Sequence, residues 1–206
     1  MKIYALQLGQ MANYTYIVQK DTQGVIIDPS WQMQNIYKVL EEKQITPKAV
    51  LFTHGHYDHL TNAQDLLTTY KIKGYIGKDD IALSGLPQDL LETLEGDCCI
   101  NLAGMQIDFI HTPGHTKGSF CIKIENNLFS GDTVFTGSLG RTDLPGGDAK
   151  EMQQSLVRLS KLPPETLVFC GHKYGLSFKT TIAEELKNNS FMQMAIREPD
   201  TFDNIL

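Results

Sequence analysis

Short apolar runs open the chain, cut by Gly, Asn, Asp and Pro. Residues 2–8, 14–19 and 24–28 read as strands: Ile3, Ala5, Leu6 and Leu8 begin the chain, and Val25-Ile26-Ile27 is a β-branched run closed by Asp28-Pro29-Ser30. Residues 32–44 carry Met33, Ile36, Tyr37, Val39 and Leu40 at a helical period, and Pro47 bars continuation. Ala49 to Phe52 is a continuous apolar run, suited to a strand buried on both faces. Residues 60–70 place Leu60, Ala63, Leu66 and Leu67 on one helical face. A brief strand at Tyr75-Ile76 precedes helical pieces over 79–94, broken near Gly85 and Pro87. Met105 to Ile110 alternates as a strand, and Phe120 to Ile124 with Leu128-Phe129 forms a hairpin around residues 125–127. A helix over 148–160, a strand at 167–169, a turn at Gly171-His172 and a helix over 178–188 complete the pattern. Pro199 to Leu206 has no regular pattern, and either an extended tail or an ordered final segment is expected there.

Strands, helix, strand, helix occur, and then the same order again. This predicts an α/β (α+β) chain of two packed sheets with helices outside. The 206 residues suffice for one well-buried core and are short for two, so a single domain over 1–206 is expected.

Charge removes some functions. With 24 acidic and 18 basic side chains the net charge is -6, so no basic footprint for nucleic acid exists. The opening MKIYALQLGQMANYTYIV has no unbroken apolar core of a signal peptide, and no run approaches the ~20 apolar residues of a membrane span. A cytoplasmic protein without a membrane partner is expected. Cys98, Cys99, Cys121 and Cys170 form no CxxC pair, and read as reduced thiols mostly packed in the core.

Candidate chemistry begins at His54-Gly55-His56-Tyr57-Asp58-His59, just past the buried strand. Residues two apart on extended chain point the same way, so His54 and His56 reach one ion. Asp58 and His59 follow a turn of the chain and face a second. Imidazole and carboxylate together suit zinc, iron or manganese. His115, Asp132 and His172 each fall where an apolar run stops, the edge at which layered α/β proteins assemble sites. His111 precedes a Pro-Gly turn and reads as packed or hydrogen-bonded rather than as a ligand.

These residues, in this order, resemble the metallo-β-lactamase-fold hydrolases, and among them the glyoxalase II-like hydroxyacylglutathione hydrolases. The resemblance runs from Asp28 through His172 and rests on THGHYDH, HTPGHT, SGDTVF, GRTDLPGGD and the late Gly-His. It implies a four-layer αββα sandwich. It also implies two divalent ions, zinc first, with iron or manganese as alternatives. His54, His56 and His115 would hold one ion, and Asp58, His59 and His172 the other, with Asp132 bridging. Asp28 would support the ligands from behind, although Pro-Ser follows it where the family has Pro-Gly.

Two such cations roughly 3.5–4 Å apart share a water and lower its pKa, giving a bridging hydroxide that attacks an ester or thioester carbonyl. A thiol leaves with little protonation, its pKa being about 8.5, so a small-molecule thioester such as a hydroxyacyl-glutathione is the expected substrate. Asp58 and Asp132 would carry the catalysis. Arg141 falls near a basic substrate contact of the longer enzymes; the alternative is a surface pair with Asp143. Lys173 either meets an anionic substrate or is simply solvated. Those longer enzymes carry a helical C-terminal domain for which this chain lacks room, so the resemblance is to short, single-domain members. An iron persulfide dioxygenase, which shares Gly-Arg-Thr-Asp, is the alternative enzyme, and a non-catalytic binding protein on the same fold is the alternative class.

Overall fold

The continuous apolar runs are buried on both sides because each sheet is covered twice. The computed structural model describes residues 1–175, 177–198 and 202. β1 (Lys2–Leu8), β2 (Asn13–Lys20) and β3 (Gln23–Ile27) form an antiparallel meander. α1 (Met33–Glu42) crosses to β4 (Thr46–Leu51), parallel to β3. α2 (Tyr57–Leu60) and α3 (Ala63–Tyr70) lead to β5 (Lys73–Gly77), and α4 (Ile81–Ser84) leads to β6 (Leu91–Leu94). The result is a 6-stranded sheet of order β1-β2-β3-β4-β5-β6.

A second 6-stranded sheet follows. β7 (Cys98–Leu102), β8 (Met105–His111), β9 (Phe120–Ile124) and β10 (Asn127–Gly131) are successively antiparallel. After a small hairpin of β11 (Val134–Phe135) and β12 (Ser138–Leu139), α5 (Ala149–Leu159) crosses to β13 (Leu167–Cys170), parallel to β10. β14 (Lys179–Thr181) closes the edge, and α6 (Ile182–Asn188) and α7 (Ser190–Arg197) return over the outer face.

Strand alternation sorts the side chains into layers. Tyr16, Val18, Val25, Ile27 and Leu51 of the first sheet meet Ile107, Phe120, Ile122 and Phe129 of the second in one buried cluster. The intervening Ile17, Ile26 and Val50 point outward onto Ile36, Leu40, Leu66 and Leu67. Cys121, Leu128 and Val168 pack outward on Met152, Leu156, Ile182 and Met192. The order helix, sheet, sheet, helix is the expected αββα sandwich. Among the described residues no helix is long and apolar enough to cross a membrane.

Several local expectations need correction. The helical reading of 79–94 ends early: Leu91–Leu94 is a strand of sequence LETL, with only its ends buried. β7 was not foreseen because its residues alternate between half-buried and exposed at a sheet edge, without a strong apolar period. That position also leaves Cys98 half-buried and Cys99 exposed, so only Cys121 and Cys170 are packed as expected. Residues 179–181 of the expected final helix pair as a strand, and a further helix, α7, follows α6. The segment Pro199 to Leu206 lies outside the described residues except for Phe202, which is buried in the layer with Met152 and Met192.

The switch from β14 into α6 has a local cause. Thr181 is extended and its hydroxyl accepts from the Glu184 N–H, while the Glu184 carboxylate accepts from the Thr181 N–H. This reciprocal cap satisfies donors that the first helical turn leaves open. Thr181→Ala is expected to lower the unfolding free energy by about 1 kcal/mol. Denaturant unfolding checks this, with an unchanged m-value and a lowered midpoint; an unchanged midpoint would show that the cap contributes nothing.

Candidate metal centre

The carboxyl ends of β3, β4, β8, β10 and β13 are followed by Asp28, the residue 54–59 loop, the residue 111–119 loop, Asp132 and His172. The two sheets also meet there, for Tyr14 N–H donates to the Gly171 carbonyl at 2.7 Å and Asn13 bridges His172. Loops at strand carboxyl ends are where open α/β folds gather functional groups.

Local backbone aims each side chain. His54 lies in the loop after β4, His56 is extended at the N-cap position of α2 without a side-chain cap, and Asp58 and His59 lie buried in the single turn of that helix. Asp28 sits at φ 48°, a left-handed conformation that Asp tolerates better than most residues. Gly131 is at φ 50°, and a Cβ there would strike the Thr53 hydroxyl; one on Gly171 would strike Oδ1 of Asp132. Both glycines therefore let the strand ends approach closely enough to bring Asp132 and His172 together.

The expected ligands fall into two groups. Ligand atoms of His54, His56 and His115 lie within 4.8 Å of one another, as do those of Asp58, His59 and His172. Nδ1 of His56 is 2.9 Å from Nε2 of His115, and Nε2 of His59 is 3.0 Å from Nε2 of His172. The Asp132 carboxylate spans the groups: Oδ2 is 3.6 Å from His115 Nε2 and 3.2 Å from His172 Nε2, and Oδ1 is 3.5 Å from His59 Nε2.

The outer ring nitrogens decide what faces inward. Nδ1 of His59 meets Asp28 at 3.0 Å, Nδ1 of His115 meets the Arg141 carbonyl at 2.7 Å, and Nδ1 of His172 meets the Met11 carbonyl at 2.9 Å. The Thr53 hydroxyl donates to Asp28 at 2.6 Å, so it accepts from Nδ1 of His54 at 3.1 Å. Each of these rings is thereby held with its Nε2 lone pair turned into the site. Lone pairs 3.0 Å apart repel unless positive charge sits between them. Nε2 of His54 and Oδ1 of Asp132 are buried with no hydrogen-bond partner among the described residues. A donor set of this chemistry, with orphaned atoms converging, fits metal ions.

Charge points the same way. Burial lowers His54, and the surrounding imidazoles lower it further. Burial also pulls on His172, but Asp132 and Asp58 prevail and hold it up at about 10. Burial raises the Asp58 carboxyl, yet His172, His59 and Asn13 prevail and bring it well below the usual range. The carboxylates of Asp58 and Asp132 thus favour positive charge at this point, a demand that a bound cation would meet.

Of the other predicted residues, Asp28 forms a third close group with His54 and His59, and the rest fall outside the groups. Asp28 accepts from the Thr53 N–H at 2.8 Å, from its hydroxyl and from His59, so although it lies beside His54 and His59 its oxygens are already engaged. Arg141 lines the adjoining cavity, is exposed, and forms a bidentate pair with Asp143 at 2.7 and 2.6 Å. Lys173 is exposed and lies outside the cavity lining. His111 meets the Lys117 carbonyl at 2.9 Å and packs on Phe120, away from the site.

Sequence reading missed two supports. Asn13 donates to Oδ2 of Asp58 at 2.8 Å and accepts from the Trp31 indole at 3.0 Å. Asp80 is buried and accepts from the Gly55 N–H at 2.7 Å, the Thr116 hydroxyl at 2.7 Å and the Gly118 N–H at 2.9 Å. It thus ties the loop of His54 and His56 to the loop of His115. A buried acid in Lys-Asp-Asp is the one sequence signal, and it is common at helix starts.

Asp80→Asn presents an amide N–H to one of those donors and leaves it unsatisfied. The expected cost is roughly 1–3 kcal/mol of stability, with zinc affinity lowered about tenfold or more. Thermal melting and calorimetric zinc titration measure these separately; unchanged affinity would remove Asp80 from any role at the centre.

The profile of the Metallo-beta-lactamase superfamily matches residues 8–93 and 105–172. The chain is 33% identical over 190 residues to a protein of Bacillus velezensis described as a "probable polyketide biosynthesis zinc-dependent hydrolase", BaeB, covering 91% of this chain and 84% of that one. Its structure is similar to ETHE1 from Myxococcus xanthus, with TM-score 0.90, 28% identity, and coverage of 100% of this chain and 89% of the other. TTHA1623 in a di-iron-bound form is similar at TM-score 0.80 and 30% identity, covering 91% of this chain and 99% of that one.

Proposed function

The chain belongs to the metallo-beta-lactamase superfamily, as a metal-dependent hydrolase on that fold, and from that premise we propose that it cleaves a small-molecule thioester, with a hydroxyacyl-glutathione as one candidate, at a two-ion centre. The observation that carries this reading is the Asp132 carboxylate, within 3.6 Å of both histidine groups. On this reading His54, His56 and His115 hold one ion, Asp58, His59 and His172 the other, and Asp132 bridges. The zinc in one relative's name and the di-iron form of another similar protein support divalent metal.

Bound ions would supply Lewis acidity, activating water and polarising the substrate carbonyl. The chain's own residues do the rest. Asp28, Asn13, Thr53 and the Arg141 and Met11 carbonyls fix the ligands, so little reorganises during turnover. A cavity of about 410 Å³ opens over His56, Asp58, His115, Asp132 and His172, giving the carbonyl carbon access to the centre. The leaving thiol departs as thiolate or takes a proton from solvent, so no further acid is required of the chain.

A persulfide dioxygenase is the second reading. The Gly140-Arg141-Thr142-Asp143 element and the likeness to ETHE1 over the whole chain support it. Native iron content and oxygen consumption with a persulfide discriminate the two. The hydrolase reading predicts that Asp132→Ala loses at least about a thousandfold in thioester kcat together with one bound ion per chain. Steady-state kinetics and elemental analysis of the same preparation check it, and full activity in that variant would contradict the two-ion reading.

A further inference from the structure

Resting on the hydrolase reading above, we infer that this centre serves thioesters bearing a long, uncharged arm, which runs from the carbonyl over Met11 and Tyr57 into a second cavity beside Trp31. Three observations carry this. First, the exposed apolar side chains at the mouth of the metal cavity cluster: Met11 is 39% exposed, Tyr57 64% and Tyr174 60%, and all line that cavity. Large apolar groups left in water together mark a contact surface rather than chance exposure. Tyr174 is also fixed, stacked on His172 at 4.8 Å and edge-on to Phe135 at 4.9 Å.

Second, the surface continues. Met11 and Tyr57 also line a cavity of about 640 Å³ with Gly9, Gln10, Trp31 and Gln32. No charged side chain lines it among the described residues; aromatic faces and amides do. Tyr57 stands edge-on to Trp31 at 6.2 Å, with its hydroxyl 3.7 Å from the Met11 sulfur, so the rim that the two cavities share is a packed apolar surface over which an arm can lie.

Third, the anionic ends of a glutathione moiety find little to bind. Apart from the histidines of the centre itself, Arg141 is the one basic side chain lining the metal cavity among the described residues, and Asp143 already engages it bidentately. An aliphatic arm with an occasional amide suits the wall better than a chain ending in carboxylates.

The test uses zinc-loaded protein and matched thioesters: S-lactoylglutathione, S-acetyl-N-acetylcysteamine, the same compound with its acyl group lengthened to octanoyl, and acetyl thioesters of N-acylcysteamines lengthened on the thiol side. Lengthening one of the two arms should raise kcat/KM at least about tenfold, the gain from burying two or more methylenes, and place that compound above S-lactoylglutathione. Tyr57→Ala should abolish most of the gain, and Tyr57→Phe should keep it. Turnover of the short thioester with no gain from either arm, or full gain in Tyr57→Ala, overturns the inference and leaves the hydrolase reading standing. No turnover of any thioester by fully loaded protein overturns both.

Discussion

The Nε2 lone pairs of His54, His59, His115 and His172 and the carboxylates of Asp58 and Asp132 share one buried volume, and only positive charge lets them do so. Each ring is locked from behind by a carbonyl, a hydroxyl or Asp28, so none can turn its lone pair away. Electrostatics of this kind cannot be stabilised by burial, which makes every unsatisfied pole more costly. Converging poles of this kind cost the fold stability by themselves, and cations held between them would return it.

The scaffold meets that demand with rigid parts. The sandwich buries both faces of each sheet, so the strand ends that carry the ligands are fixed by the core between them. Close approach comes from Gly131 and Gly171, where side chains would collide with Thr53 and Asp132. The loops are then tied laterally: Asp28 latches β3 to the end of β4, and Asp80 latches the His54 loop to the His115 loop. The open side of the centre is lined by aromatic and aliphatic residues, so the same geometry that concentrates charge at the bottom offers an apolar wall above it.

Much of this was legible in the sequence. Residues 54–59 are contiguous, and the turn into α2 after His56 separates His54 and His56, which group with His115, from Asp58 and His59, which group with His172. Strands β3 and β4 were readable because Val25 to Ile27 and Ala49 to Leu51, buried on both faces, are continuous apolar runs. Edge strand β7 was not, since half-exposed positions accept almost any side chain. Asn13 and Asp80 were hidden for another reason: their partners are 45, 25 and 38 residues away, and nothing local distinguishes them from turn residues. Arg141 shows a middle case, for both the pair with Asp143 and a place beside the centre are present at once. Lys173 carried no pattern and does not line the cavity.

The central claim is that the converging lone pairs hold cations. Metal content of protein purified without added metal or chelator tests it most directly, read beside the melting temperature before and after chelation. The account predicts close to two divalent ions per chain, a clear fall in melting temperature on their removal, and recovery when zinc is returned. Protein that is metal-free as purified, takes up no zinc and melts unchanged with chelator would contradict it.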